Sequence, residues 1–347
     1  MGASPTSISN DITSWRGVSW SIGGDKNLQN QTTLPNILRK FNTQIHGSST
    51  GTWKETAGLN VATEQARSRD LMNQVKDLVQ QMKSMPEINL AEDWKLITIF
   101  IGINDLCDYC DTGDENAATA YFEDVKKALD VLSSKLSRAF VNVVQLMEVT
   151  DLYQNQGKHC AQPITSLFTC PCFRNPPNSS KLEALIKMNK NFQTTIYKLS
   201  TLEEFQNRED FTVVVQPFLQ KISIPRDKDG TMDSTFFSED CFHLSARSHD
   251  QMAMALWNNM LQPVGEKSSS IDFSSTGDKL ICPTAANPYL FTIMNSEATG
   301  KLRLMWLFWT IFALVVFFIF TFTVLLTLVL LEREKAKVAV EETSSES

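Results

Sequence analysis

The sequence lacks any clustering of positive charge. Its 347 residues carry 32 Lys and Arg against 39 Asp and Glu, a formal net charge of -7. Surfaces that bind nucleic acid need a basic patch or stripe. No such patch stands out from the acidic background, so we expect no nucleic-acid partner. The 42% apolar content is nevertheless enough to bury a core, which excludes a disordered chain.

The amino terminus also lacks the apolar segment of a secretory signal peptide. Residues 1–6 are followed by polar residues, and Gly2 with Thr6 fits only the short pattern for N-myristoylation. If the sequence is taken as it stands, its C-terminal segment inserts into the membrane and its domain remains in the cytosol. Read as the end of a secreted-type ectodomain, it places that domain outside the cell. Both interpretations stay open at this point.

A long uncharged run lies near the other end of the chain. Residues 304–331 contain no charged side chain, and as a helix they would measure about 42 Å, more than the hydrocarbon core of a bilayer. They predict one transmembrane helix. Arg333, Lys335 and Lys337 favour a cytoplasmic tail, although Lys301 and Arg303 weaken this asymmetry.

This span divides the chain into four predicted parts. We expect an ectodomain over 1–288, a juxtamembrane linker over 289–303, the span over 304–331 and a short cytoplasmic tail over 332–347.

Two further features bear on the side of the membrane. Asn30 and Asn178 begin acceptor sequences for N-glycosylation. The seven cysteines allow a few disulfides with one thiol left over. Cys107-x-x-Cys110 followed by a Cys-x-Cys at 170–172 is an alternative zinc pattern, but its spacing is irregular, so we expect no metal.

The middle of the chain alternates apolar strands with amphipathic helices. The predicted strands cover residues 95–101, 140–146 and 212–215. Helices with one apolar face are predicted around residues 71–82, 122–136, 182–199 and 245–261. This alternation predicts an α/β domain with a parallel sheet covered on both faces.

Two short motifs carry candidate chemistry. Asp240 precedes His243 by three residues, a spacing that lets the carboxylate orient the imidazole as a general base. An ion pair or a helix cap is the alternative interpretation. Asn104, in Gly-Ile-Asn-Asp at 102–105, follows the first predicted strand, and its amide suits an oxyanion donor. A simple turn is the alternative there.

Together these motifs resemble the GDSL or SGNH hydrolase family of serine esterases and lipases. The stretches 15–25, 33–38, 208–218 and 255–261 are similar to the membrane-anchored phospholipases of that family. The resemblance covers about residues 1–288. It implies a three-layer α/β/α, flavodoxin-like fold without metal or cofactor, and hydrolysis of phospholipid and lysophospholipid esters. His243 would be the base, Asp240 its orienting acid and Asn104 an oxyanion donor.

The sequence departs from the family pattern at two places. The Gly-Asp-Ser-Leu block with the nucleophilic serine and the first, central strand is absent, and no serine of this chain takes its place. Gln65 stands where the resemblance leads us to expect the glycine of the family's second motif, which is another oxyanion donor. We therefore expect a chain that is inactive as it stands. A catalytically dead, membrane-tethered binding or structural protein is the alternative, and an enzyme with a substitute nucleophile or metal is a third.

The family resemblance also implies a location. It predicts a single-pass type I protein of the cell membrane with an extracellular domain, at the apical surface. Its partners would be the lipid substrates and the bilayer itself.

Overall fold

The computed structural model describes residues 15–148, 179–228, 230, 232–238, 243–274 and 279–345. Asp240, Asn178, His159 and the cysteines at 160, 170, 172 and 241 lie outside these residues. The chain divides into two compact units, Met1–Ile293 and Met294–Ser347. Each unit is described by itself.

A three-stranded parallel sheet forms the centre of the first unit. Its strands are β1 (Lys95–Ile99), β2 (Ala139–Val144) and β3 (Phe211–Gln216), in the order β1-β2-β3. The three predicted strands are confirmed with ends that shift by one or two residues. Each is a short run rich in Val, Ile and Phe, as expected of strands covered on both faces. Within the described residues, β1 is an edge strand of this sheet, with β2 as its one neighbour.

The described α-helices follow the predicted pattern and add several shorter ones. In chain order they are α1 (Leu34–Leu38), α2 (Leu71–Ser84), α3 (Ile103–Thr112), α4 (Ala117–Lys135), α5 (Ser180–Tyr197), α6 (Glu203–Gln206), α7 (Ala246–Met260) and α8 (Ile293–Ser345). The apolar face predicted for α2 is the buried one, comprising Leu71, Val75, Leu78, Val79 and Met82. Ser179 caps α5, because its hydroxyl accepts the Leu182 N–H at 3.2 Å.

Helices cover both faces of the sheet, which confirms the three-layer α/β/α arrangement. On β2, Val141 and Val143 join the core formed with α2, α4 and α5, while Phe140 and Val144 join the core formed with α1 and α7. This split follows from the two-residue period of a strand. Asn142, also on β2, is fully buried and donates to the Met260 sulfur at 3.3 Å.

A second, smaller sheet was not predicted. β4 (Lys221–Ser223) and β5 (Ser270–Asp272) pair in parallel, and only the middle residue of each is buried. Three residues with alternating burial give too weak a pattern to separate from a loop.

The second unit contains one long helix. α8 includes an apolar segment, Leu304–Arg333, with a mean hydropathy of 3.0, which is long enough to cross a membrane. α8 begins at Ile293, inside the predicted linker.

Candidate active site

Gly102 directs the chain from β1 into α3. Its φ of +119° lies in the region that favours glycine. A Cβ at this position would lie 2.8 Å from the Tyr121 ring and 3.2 Å from Leu146. Only glycine therefore fits between the strand and the helix, and the turn places Asn104 in the first turn of α3 at the carboxyl end of β1, where ligands bind in such sheets.

The side-chain amide of Asn104 is oriented by one hydrogen bond. Its Nδ2 donates to the carbonyl oxygen of Ala66 at 2.9 Å. A primary amide carries two N–H groups, and the second has no acceptor within the described part of the chain. One proton thus fixes the plane of the amide, and the other is available to a ligand.

Gln65, which is predicted to stand in place of a family glycine, has a backbone conformation that favours glycine. Its φ is +56°, in the left-handed region, and its side chain is exposed. No acceptor for its backbone N–H lies among the described residues. This conformation is open to glutamine at a steric cost of about 1 to 2 kcal/mol.

Two side-chain contacts hold the segment after Gln65 against α3. Asp105 accepts the Ser68 hydroxyl at 2.6 Å and the Ser68 N–H at 3.0 Å. Arg67 forms a two-pronged ion pair with Asp108, in which Nη2 lies 2.7 Å from Oδ1. This pairing lowers the pKa of Asp108, whereas burial raises the pKa of Asp105 despite its bonds to Ser68.

His243 lies on a different element, just before α7. Its backbone carbonyl accepts the Ser238 N–H at 2.8 Å, and Phe237 pairs with Leu244 in an antiparallel bridge. The Ser245 hydroxyl donates to the Thr235 carbonyl oxygen at 2.7 Å. The imidazole is half-buried. These contacts fix the backbone that carries His243, while its predicted partner Asp240 lies outside the described residues.

His249 is a buried histidine in α7. Its Nδ1 accepts the backbone N–H of Trp20 at 3.2 Å, so the ring is neutral with its proton on Nε2. Burial lowers the pKa of His249 to about 3, and the nearby His243 adds to the effect. The structure thus gives His249 a packing role that joins α7 to the segment around Trp20.

The cysteine pair in α3 is not a zinc site. Cys107 and Cys110 are both disulfide-bonded, which removes their thiolates as ligands. Cys282 is a free, exposed thiol. Among the described residues, no group of three or more His, Cys, Asp or Glu could hold a metal ion.

The arrangement can stabilise negative charge on an oxygen. The Asn104 amide and the Gln65 N–H both belong to the contact between the 65–68 segment and α3. In acyl-transfer sites, a preorganised donor of this kind contributes about 3 kcal/mol to the transition state. His243 lies on a different element, and its part in this arrangement stays a prediction. The sequence reasoning missed Ser68, Asp105, Arg67 and Asp108, although Asp105 stands in the Gly-Ile-Asn-Asp motif and was a visible signal.

Comparison with known proteins places the chain in a family. The model of the GDSL-like Lipase/Acylhydrolase family matches residues 1–256. The chain is 53% identical over 297 residues to human "Phospholipase B1, membrane-associated", which covers 86% of this chain and 20% of that protein. The rat and mouse proteins of the same name are 49% and 50% identical over 296 residues, 85% of this chain and 20% of each relative.

The chain thus spans about a fifth of the length of these relatives. The match covers both the Asn104 turn and His243. Together with the parallel three-layer fold, it shows that the chain belongs to the GDSL-like lipase and acylhydrolase family.

Proposed function

We propose that this chain is part of a membrane-anchored phospholipase of the B type, which hydrolyses the acyl esters of glycerophospholipids and lysophospholipids. The observation that carries this proposal is the near 50% identity, over about 85% of the chain, to relatives named as membrane-associated phospholipases. The Asn104 amide and the Gln65 N–H support it, since both suit the oxyanion of an ester intermediate.

The proposed reaction proceeds in two acyl transfers. His243, oriented by Asp240, takes the proton of a serine hydroxyl whose oxygen bonds to the ester carbonyl carbon. Asn104 and the Gln65 N–H hold the resulting oxyanion. The ester bond to glycerol then breaks, and His243 returns the proton to the leaving alcohol. Water repeats the sequence and releases the fatty acid.

We assign the nucleophilic serine to no residue of this chain. Without an attacking oxygen His243 has nothing to activate. We therefore expect the 347 residues by themselves to bind lipid without turnover. The alternative function, a membrane-tethered binding protein, also predicts no turnover by these residues alone. The two functions differ for the intact protein that contains them, which hydrolyses lipid only if it is a phospholipase.

The activity is tested by replacing His243 in that intact protein. Cells that display it are given vesicles of phosphatidylcholine or lysophosphatidylcholine, and released fatty acid is measured. We expect His243→Ala to abolish release, because the base is lost, while surface expression is unchanged. His46→Ala is the matched control, since His46 is an exposed histidine outside the motif. Normal release of fatty acid by His243→Ala would contradict the assignment of His243 as the base. No release by the intact protein without substitutions would favour the binding function.

We further propose that the first unit faces the outside of the cell. The disulfides at Cys107 and Cys110 suit an oxidising compartment. Asn30 is exposed, so its acceptor sequence is accessible to glycosylation. α8 would anchor the domain, with Arg333 on the cytoplasmic side.

Glycosylation provides the test of this orientation. Asn178→Gln leaves the sequence at Asn30 intact, and we expect treatment with peptide N-glycosidase to increase the gel mobility of this variant. Adding Thr32→Ala, which removes the acceptor while leaving the Thr32 backbone N–H in place, should abolish that shift. A mobility unaffected by the glycosidase in Asn178→Gln would contradict glycosylation at Asn30.

A further inference from the structure

The residue that follows Asn104 has no role in the proposed reaction, yet its carboxylate is hydrogen-bonded to the neighbouring loop. Asp105 is half-buried and accepts two donors from one residue, the hydroxyl of Ser68 at 2.6 Å and its backbone N–H at 3.0 Å. Ser68 is almost completely buried, at 2% exposure. A desolvated carboxylate that accepts hydrogen bonds from the N–H and the hydroxyl of one residue fixes the backbone and the side chain of that residue.

We infer that Asp105 is a positioning residue, which holds the 65–68 segment so that the Gln65 N–H and the Asn104 amide point at the same oxyanion. This inference rests on the proposed function. Ala66 and Ser68 are bound at two successive points of α3, the first by Asn104 and the second by Asp105. The peptide planes between these anchors cannot rotate freely. Gln65, directly before the first anchor, is thereby held at its positive φ.

The proton of the Ser68 hydroxyl has two carboxylates within reach, and Asp105 is the nearer one. Asp124 of α4 also lies near, with its Oδ2 3.1 Å from the Ser68 hydroxyl. A hydroxyl has one proton, and the shorter 2.6 Å contact assigns it to Asp105. Asp108 on the same helix adds negative charge, the Arg67 guanidinium adds positive charge, and the buried Tyr121 ring lies on the α4 side.

The test uses Asp105→Asn in the intact protein that contains this chain. The substitution keeps the side-chain size but replaces one accepting oxygen with a donor, which opposes the donors of Ser68. We expect kcat for lysophosphatidylcholine to fall about 100-fold with KM nearly unchanged, as for a misplacement of about 1 Å at the reacting centre. Asp114→Asn, an exposed change in the loop after α3, is the control and should leave both constants unchanged.

Hydrogen exchange supplies a readout that does not depend on activity. In Asp105→Asn, amide exchange in residues 65–68 should become faster, while exchange in α7 stays as in the parent. If Asp105→Asn does not reach the cell surface, Ser68→Ala is used in the same test, because it removes the Ser68 hydroxyl and keeps the backbone N–H. We expect Ser68→Ala to lower kcat less, and Ser68→Thr, which restores a hydroxyl, to recover part of it.

The possible outcomes separate the two proposals. Faster local exchange in a parent that hydrolyses no ester would retain the positioning role and overturn the phospholipase function. Unchanged exchange at 65–68, an unchanged kcat, or a loss of protection throughout α2 and α7 would overturn the positioning role, whatever the parent protein hydrolyses.

Discussion

Asn104 and Ala66 are joined by a hydrogen bond of 2.9 Å from the side-chain amide to the carbonyl oxygen. The two residues are 38 positions apart, and the bond connects the first turn of α3 to the strained turn at Gln65. One amide proton is used for orientation and the other faces no acceptor within the described residues. The bond therefore converts a flexible side chain into a directed donor.

The positive φ of Gln65 leads to a stability prediction. Gln65→Gly removes steric strain of about 1 to 2 kcal/mol, and the greater freedom of glycine in the unfolded chain offsets about 0.4 to 1 kcal/mol of this gain. We expect the free energy of unfolding to rise by about 0.5 kcal/mol. Thermal unfolding of the detergent-solubilised protein measures the change.

A matched control separates the two contributions. Glu87 is an exposed turn residue that does not have a positive φ. Glu87→Gly therefore has only the unfolded-state cost and should lower stability by about 0.4 to 1 kcal/mol. An equal loss in both variants would mean that the turn at Gln65 is not strained.

Asp250 in α7 predicts a pH-dependent stability. Its Oδ1 accepts the Thr32 N–H at 2.8 Å and the Gln31 side-chain amide, and burial raises the pKa of Asp250 to about 6. Because the folded protein binds this proton more tightly than the unfolded chain does, Asp250 contributes stability below about pH 4, and this contribution is lost as the pH rises through 6.

Replacing Asp250 with Asn tests this sign. The amide oxygen can accept both hydrogen bonds, and the buried charge disappears. We expect Asp250→Asn to be more stable than the parent at pH 7.5 and equal to it at pH 4, as measured by thermal unfolding at both values. Asp77→Asn, at an exposed position of α2, should show no such difference. A less stable Asp250→Asn at pH 7.5 would contradict the prediction.

The state of the cysteines can be read by thiol labelling. Cys282 is free and exposed, whereas Cys107 and Cys110 are disulfide-bonded. Maleimide applied to the native protein should modify Cys282 but neither cysteine of α3, which should become reactive only after reduction and unfolding. Peptide mapping identifies the sites, and Cys282→Ser controls for background labelling. Modification of Cys107 or Cys110 without reduction would be inconsistent with the disulfides.

Local sequence patterns predicted most of the central fold. The three sheet strands and the buried faces of α2 and α4 follow from side-chain periods that a few neighbouring residues define. The residues at which helices and strands begin and end were less predictable, because local backbone and side-chain contacts determine them. Ser179 acts through one side-chain hydrogen bond and Gly102 through its positive φ, and a hydrophobic period contains neither.

The site was predictable only in part, for a physical reason. Asn104 and His243 could be proposed from the sequence because their motifs are local. The contact between Asp105 and Ser68 spans 37 positions, and nothing in either stretch indicates its partner. The conformation of Gln65 depends on the same tertiary contact. The roles of Asn104, His243 and Asp240 and the glycosylation of Asn30 and Asn178 stay predictions, and Asp240 and Asn178 also lie outside the described residues.

The role that we propose for Asn104 is donation to the oxyanion of an ester intermediate. Its most direct test is kcat for lysophosphatidylcholine in the Asn104→Ala variant of the intact protein, compared with the parent at equal surface expression. We predict a fall of about 100- to 1,000-fold with KM little changed, as for the loss of one oxyanion donor. A kcat within a few-fold of the parent, or a loss confined to KM, would contradict the claim.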